Sequence, residues 1–271
     1  MSIAGGLLAI CLALAGCSGK HAAKQDLNAA YGELDQKHYD KAFASAEAYL
    51  KRNPKGPGSA EALYLQGRVH EARAEEAGAS GRKEEARQNL VDAANAYQRA
   101  ISLQDPRPAP QVEGLCRAGL ANAAYYLDDY QTAAREWAAA LPLVAQADAK
   151  AWILYRVGLC QQRLGSFQEA DQTFAQVRSQ FPDAADGEPA RRAATRGGHR
   201  GFYVQVGTFT SPVNADRAIA ALQKGRVPAA RGTDPATGRQ IVRAGPVPSY
   251  PEAKALKQYL AGQYPDAVVV P

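Results

Sequence analysis

Residues suited to chemistry fall in two places along the chain. Tyr203, Gln205, Ile241 and Arg243 occupy alternate positions of two apolar segments, Phe202 to Val206 and Gln240 to Ala244. Alternate residues of a strand share one face, so if Val204, Val206, Val242 and Ala244 turn toward a core, these four stand on the opposite side. A Gln amide both donates and accepts hydrogen bonds, an Arg guanidinium holds a carboxylate through two parallel bonds, and a Tyr ring gives a flat apolar surface with a polar tip. Thr208, Thr210, Ser211 and Asn214 follow at the rim of the same surface and add hydroxyl and amide groups; for Ser211 a helix N-cap role is sufficient by itself. The second place is Cys17, preceded by Leu14-Ala15-Gly16.

Both patterns speak for binding and attachment rather than for turnover. No nucleophile sits in a recognisable elbow, and Asp128-Asp129 reads as a solvated pair at a helix turn, so no catalytic residue is expected. There is no CxxC and no two of the four His lie near each other, so neither a metal nor a cofactor is expected. Cys116 and Cys160 fall at different levels of successive repeats, which favours two buried thiols over a bridge.

At 271 residues the chain is long enough for two domains. Its formal net charge of +5 is unevenly placed. From His199 onward nine Lys and Arg stand against four Asp and Glu, while everything before is neutral. The run Ile3 to Ala15 has 13 apolar or glycine residues, about 20 Å of helix, too short to span a bilayer. Ended by small residues, it reads as a secretory leader. Leu-Ala-Gly-Cys resembles the lipobox of bacterial lipoproteins, which implies a signal peptide over 1–16, a lipidated Cys17 that attaches the chain to a membrane, and a tether over 17–26. Ser18 is similar to the residue that directs such proteins to the outer membrane.

From about Leu27 to Pro182 the chain is rich in Ala, Leu and Tyr at helical spacing. Superposition at a shift of 37 places Leu115, Leu120, Ala121, Ala124, Asp128, Tyr130, Ala133, Trp137 and Ala140 on Trp152, Val157, Gly158, Gln161, Gly165, Phe167, Ala170, Phe174 and Val177. Arg117 falls opposite Leu154 and breaks the match. Small residues let paired helices approach while Phe174 or Trp137 fills the gap. The pattern resembles the tetratricopeptide repeat and implies an all-α superhelix over 27–182. Such an array recruits a protein partner whose identity one sequence does not disclose. Earlier copies run through Tyr39, Ala42 and Pro54, then Leu63, Gly67, Ala93, Tyr97 and Ala100, with about 14 extra residues around Ala77 to Lys83. Tyr125 and Tyr126 are read as core aromatics rather than partner contacts.

Residues 183–200 have no hydrophobic period and read as a flexible linker. The segment 201–271 repeats itself at a shift of 38, with Val204 to Gly207 on Val242 to Gly245 and Ser211 on Ser249. Each half reads strand, turn, helix, strand, giving a small α+β unit of βαββαβ order, ferredoxin- or RNP-like, with two helices on one face and an edge strand near Arg226 to Ala230. FYVQVGTFTSPVNADRAIAALQ followed by IVRAGPVPSYPEAKALKQYL closely resembles the SPOR domain, a peptidoglycan-binding module of bacterial envelope and division proteins. Ile241 and Val247 depart from the commoner Arg and aromatic.

The resemblance implies binding of glycan strands stripped of their stem peptides, with Tyr203, Gln205, Thr208, Thr210, Ser211, Asn214, Ile241 and Arg243 as the contact surface. Together these features describe a non-enzymatic lipoprotein of the cell envelope, facing the periplasm from the outer membrane and drawn to the division site. The alternative is an outer-membrane assembly scaffold that the last domain merely localises. Nucleic acid is not expected as a partner: the Phe202 to Gly207 strand looks like one motif of the RNA-recognition fold, but the partner strand lacks the stacking aromatics.

Overall fold

A computed structural model of the chain describes residues 21–103, 107–234 and 237–271. The leader and Cys17 lie outside the described residues. The chain forms two compact units, one of residues up to Val157 together with Asp183–Pro189, the other of Gly158–Pro182 together with Ala190–Pro271.

The first unit is built from helices α1 (His21–Asp35), α2 (Tyr39–Arg52), α3 (Ser59–Ala79), α4 (Lys83–Ile101), α5 (Pro110–Tyr126), α6 (Tyr130–Ala140) and most of α7 (Ala147–Arg163). In the second unit α8 (Phe167–Gln180) follows α7. The helices pair as α1/α2, α3/α4, α5/α6 and α7/α8. Pro110 and Ala147, like Tyr130 and Phe167, begin equivalent helices 37 residues apart, so the sequence period is the structural one. The extra residues of the second pair do not form a loop; they lengthen α3 to 21 residues and α4 to 19.

All four pairs turn in the same way. The second of the three connecting residues is left-handed: Lys37 at φ 61°, Gly81 at 74°, Asp128 at 65° and Gly165 at 84°. The next amide reaches back five residues, His38 to the Glu33 carbonyl, Arg82 to Ala77, Asp129 to Ala124 and Ser166 to Gln161, at 2.8–2.9 Å. This closure satisfies carbonyls that a helix end leaves open. Gly81 and Gly165 adopt the conformation without steric cost, whereas Lys37 and Asp128 carry a Cβ into it. Asp128 is partly compensated, since its carboxylate accepts the Tyr130 hydroxyl at 2.6 Å. Asp129 caps α6 by accepting from the Thr132 amide at 3.0 Å.

Contact between the helices depends on small residues facing rings. Tyr97 on α4 lies between Gly67 of α3 and Gly119 of α5; a Cβ on either would fall 2.4–2.5 Å from the ring. Gly158 meets Phe174 in the same manner, at 2.6 Å. Ala121, Ala133 and Trp137 are fully buried. The Tyr125 ring packs on Tyr126, Tyr130 and Trp137. Arg117, which breaks the repeat pattern, is accommodated by acids. It donates to Glu113 one turn back and to the buried Glu136 of α6, each at 2.8 Å.

A second polar group is sealed deeper. The Tyr97 hydroxyl donates to Glu71 at 2.7 Å, and Arg68 lies 3.5 Å from the same carboxylate. Burial raises the Glu71 carboxyl above the ordinary glutamate range despite Arg68 and hydrogen bonds from Tyr97 and Asn122. Cys116 and Cys160 are both buried as thiols.

Helix α9 (Glu188–Ala194), all but its first two residues in the second unit, leads there to β1 (Phe202–Phe209), α10 (Pro212–Lys224), β2 (Ala229–Thr233), β3 (Gln240–Val247), α11 (Tyr250–Leu260) and β4 (Val268–Val270). The strands form one antiparallel sheet in the order β2-β3-β1-β4. The expected βαββαβ order is thus present, with β2 displaced past Pro228, whose missing N–H suits the approach to an edge. Val204, Val206, Val242 and Ala244 pack with Ala215, Ala218, Leu222 and Leu260 into the core between sheet and helices. Residues 183–200, expected as a flexible linker, carry a 3-10 turn at Ala184–Gly187 and helix α9.

The shared turn predicts opposite effects of two substitutions. Lys37→Gly relieves a left-handed side chain and should raise stability by about 0.5–1 kcal/mol, while Gly81→Ala should lower it by about 1 kcal/mol. Thermal denaturation of each variant beside the parent protein checks both signs.

Candidate functional site

The sheet has one face beneath α10 and α11 and one that is uncovered among the described residues. Because Val204, Val206, Val242 and Ala244 are committed to the core, Gln205 and Arg243 must stand on the uncovered side. They do more than share it: Gln205 is registered opposite Arg243, Val268 opposite Gln205, and Ala230 opposite Arg243. The four residues therefore make one row across all four strands, about 14 Å from edge to edge at the usual strand spacing.

Arg243 is half-buried in that row. Its Nε is sealed and has no hydrogen-bond partner among the described residues. The terminal guanidinium nitrogens are left as the contact atoms, carrying the positive charge at the surface. Gln205 makes one long hydrogen bond, its Nε2 donating to the Thr208 hydroxyl at 3.4 Å, and so keeps most of its capacity for a ligand. The other nearby cation is turned elsewhere: Arg231, opposite the core residue Val242, pairs with Asp216 of α10 on the covered side.

Tyr203 stands opposite Val270 at one end of the face. Its ring lies against Gly245, where a Cβ would come 3.4 Å from Cδ1 and 3.1 Å from the Phe202 carbonyl oxygen. Gly245 has φ 118°, a conformation open to glycine alone. At the other end, Thr208 is opposite Ile241. Thr208, Thr210 and Asn214 are exposed. Ile241 is only 8% exposed, so it supplies floor rather than a contact. Ser211 occupies the N-cap of α10, but its side chain makes no cap hydrogen bond; its carbonyl accepts from Asn214 and Ala215 instead, at 3.2 Å. Its hydroxyl is thus not committed to the cap. Ser249, by contrast, caps α11 by accepting from the Glu252 amide at 3.3 Å.

Of the sequence-derived set, Gln205 and Arg243 come together in register, Tyr203 flanks them, and Thr208, bonded to Gln205, begins a rim continued by Thr210, Ser211 and Asn214. Two members of the row were not foreseen, Ala230 and Val268. Val268 is 47% exposed beside Gln205, an apolar surface suited to the C–H face of a ring. Its only sequence signal was membership of the terminal valine run. Among the described residues no group of three His, Cys, Asp or Glu side chains is placed to hold a metal ion, and no helix is long and apolar enough to cross a membrane.

Two families match the chain. The SPOR domain family matches residues 198–271, and the outer membrane lipoprotein family matches residues 17–146. No curated protein matches it.

Gly245→Ala should cost about 1–3 kcal/mol through its backbone alone and should push the Tyr203 ring out of place. Denaturant unfolding reads the first effect, and the shift of the Tyr203 ring resonances the second.

Proposed function

From a chain that joins a tetratricopeptide-like helical region, matching the outer membrane lipoprotein family, to a C-terminal SPOR domain, we propose a non-enzymatic envelope protein that binds peptidoglycan. The binding surface is the uncovered sheet face, and the ligand is a glycan strand freed of stem peptides, as found at the septum. The observation that carries this reading is the row Ala230, Arg243, Gln205 and Val268. A denuded strand offers acetamido groups, sugar faces and a lactyl carboxylate on each muramic residue. Gln205 answers the amide, Arg243 the carboxylate, and Tyr203 and Val268 the apolar faces. Stem peptides occupy that same carboxylate in amide linkage, which is why their removal should favour binding.

Cys17 is the proposed point of lipid attachment, holding the chain at the outer membrane with the repeats facing the periplasm. The repeats recruit a protein partner. The match over 17–146 also supports a second reading, an outer-membrane assembly scaffold in which the SPOR domain only localises the chain. Deleting residues 201–271 is a poor way to separate the two, since it uncovers Phe167, whose ring packs on Phe202. Gln205→Ala with Arg243→Ala should leave the fold in place, since neither side chain belongs to the core. If cellular function survives this pair while septal enrichment is lost, the scaffold reading is correct.

The pair should lower retention on amidase-treated sacculi at least about tenfold, a change of about 1.4 kcal/mol, with the melting temperature unchanged. Equal retention of the parent protein by intact and amidase-treated sacculi would remove the preference for bare glycan. Cys17→Ala should move the protein from the membrane fraction to the soluble periplasm; an unchanged membrane fraction would refute attachment at this residue.

A further inference from the structure

Phe202 and Tyr250 are buried, yet neither belongs to the core formed between the sheet and helices α10 and α11. They are buried by α8 and the turn before it. The Phe202 ring lies 5.5 Å from that of Phe167, the first residue of α8, and 5.6 Å from that of Tyr250. The Arg163 guanidinium stacks 3.4 Å above the centre of the Tyr250 ring. A Cβ on Gly165 would come within 3.5 Å of the Pro248 carbonyl, so the turn itself approaches the loop before α11. The three rings and the cation form one column reaching from the end of α7 through the start of α8 to the first residues of β1 and α11.

A second set of contacts ties down the strand leading into β1. Asp171, on the second turn of α8, accepts from the Gly198 amide and from Arg200, each at 2.8 Å. Burial alone would raise its carboxyl, but these bonds and the charges of Arg200 and His199 hold it below the ordinary aspartate range, so the ion pair is intact at neutral pH. Gln162 donates to the Arg196 carbonyl at 3.0 Å and Arg178 to the Ala193 carbonyl at 3.4 Å. Residues 193 to 200 are thus fastened at four points along one helical hairpin end.

We infer that the SPOR domain has a docking surface for this chain's own helix α8, made of Phe202, Pro248 and Tyr250, so that residues 158–182 and 190–271 fold and move as one body. The surface lies at the Tyr203 end of the glycan face but on the opposite side of the sheet, since Phe202 precedes Tyr203 and points the other way. It leaves the row of Arg243 and Gln205 open. The inference does not rest on glycan recognition, and it replaces a swinging tether with a fixed attachment. Burial of three aromatic rings in mutual contact, with a cation stacked on one of them, opposes the entropy of an otherwise loose connection.

The test uses the full-length protein. In hydrogen–deuterium exchange the Gly198 amide should be protected at least about a hundredfold over an open chain, as expected for a segment held closed by packing and hydrogen bonds. Trypsin should cut slowly at Arg196 and Arg200. Asp171→Asn, which removes the ion pair without touching a core, should speed that cutting at least about tenfold, and Phe167→Ser should do so more strongly. Exchange of Gly198 at the open-chain rate overturns the inference without need of any variant. So does cutting of the parent protein as fast as of Asp171→Asn. Should Phe167→Ser fail to fold, the parent and Asp171→Asn measurements decide the matter.

Discussion

Burial of Val204, Val206, Val242 and Ala244 beneath two helices dictates where every other side chain of the two central strands points. A strand has only two faces, and a slip of one residue exchanges them completely. Once four apolar side chains are committed to the core, Gln205 and Arg243 have nowhere to go but the open face. The cross-strand register then sets them side by side rather than merely on the same side. The proposed binding surface needs no loop to build it; it is the remainder left when the core is satisfied.

The helical region follows an equally local constraint repeated four times. A left-handed residue closes each helix pair, and glycine or alanine lets an aromatic ring come within van der Waals contact of a neighbouring backbone. Where chemistry is less favourable, neighbouring residues compensate. Asp128 takes the left-handed position with help from the Tyr130 hydroxyl, and Arg117 replaces an apolar repeat position because Glu113 and Glu136 meet it. A buried charge without such partners would be costly, so the acids and the arginine form one unit.

The sequence disclosed those features whose cause is periodic. The shift of 37 gave the helix pairs and even aligned Asp128 with Gly165; alternation gave Gln205 and Arg243. It was silent where the cause is long-range. Val268 lies in a three-residue strand too short for any period, and its place beside Gln205 comes from pairing with β1. Glu136 and Arg117 are 19 residues apart, so only folding shows that one answers the other. Residues 183–200 looked structureless because nothing apolar repeats there. Their order comes from single polar contacts, such as the Ala185 amide donating to Asp148 at 2.7 Å and Gly198 to Asp171, which leave no pattern in composition.

How strongly the open face can hold an anion turns on Arg243. A fully exposed ion pair is worth about 0–1 kcal/mol, too little for one contact to hold a strand. Arg243 is not fully exposed: its Nε is sealed without a partner, and a buried donor left unmade costs about 1–3 kcal/mol. The guanidinium therefore sits in a less polar setting than a surface arginine, where the attraction of its terminal nitrogens for a carboxylate is less damped by water. The apolar flanks at Ala230 and Val268 act in the same direction by excluding water from the row. On the proposed surface, affinity would thus come from one partly desolvated charge working beside an amide and flat apolar ground, with the net positive charge of the last quarter of the chain secondary to where this single residue is held.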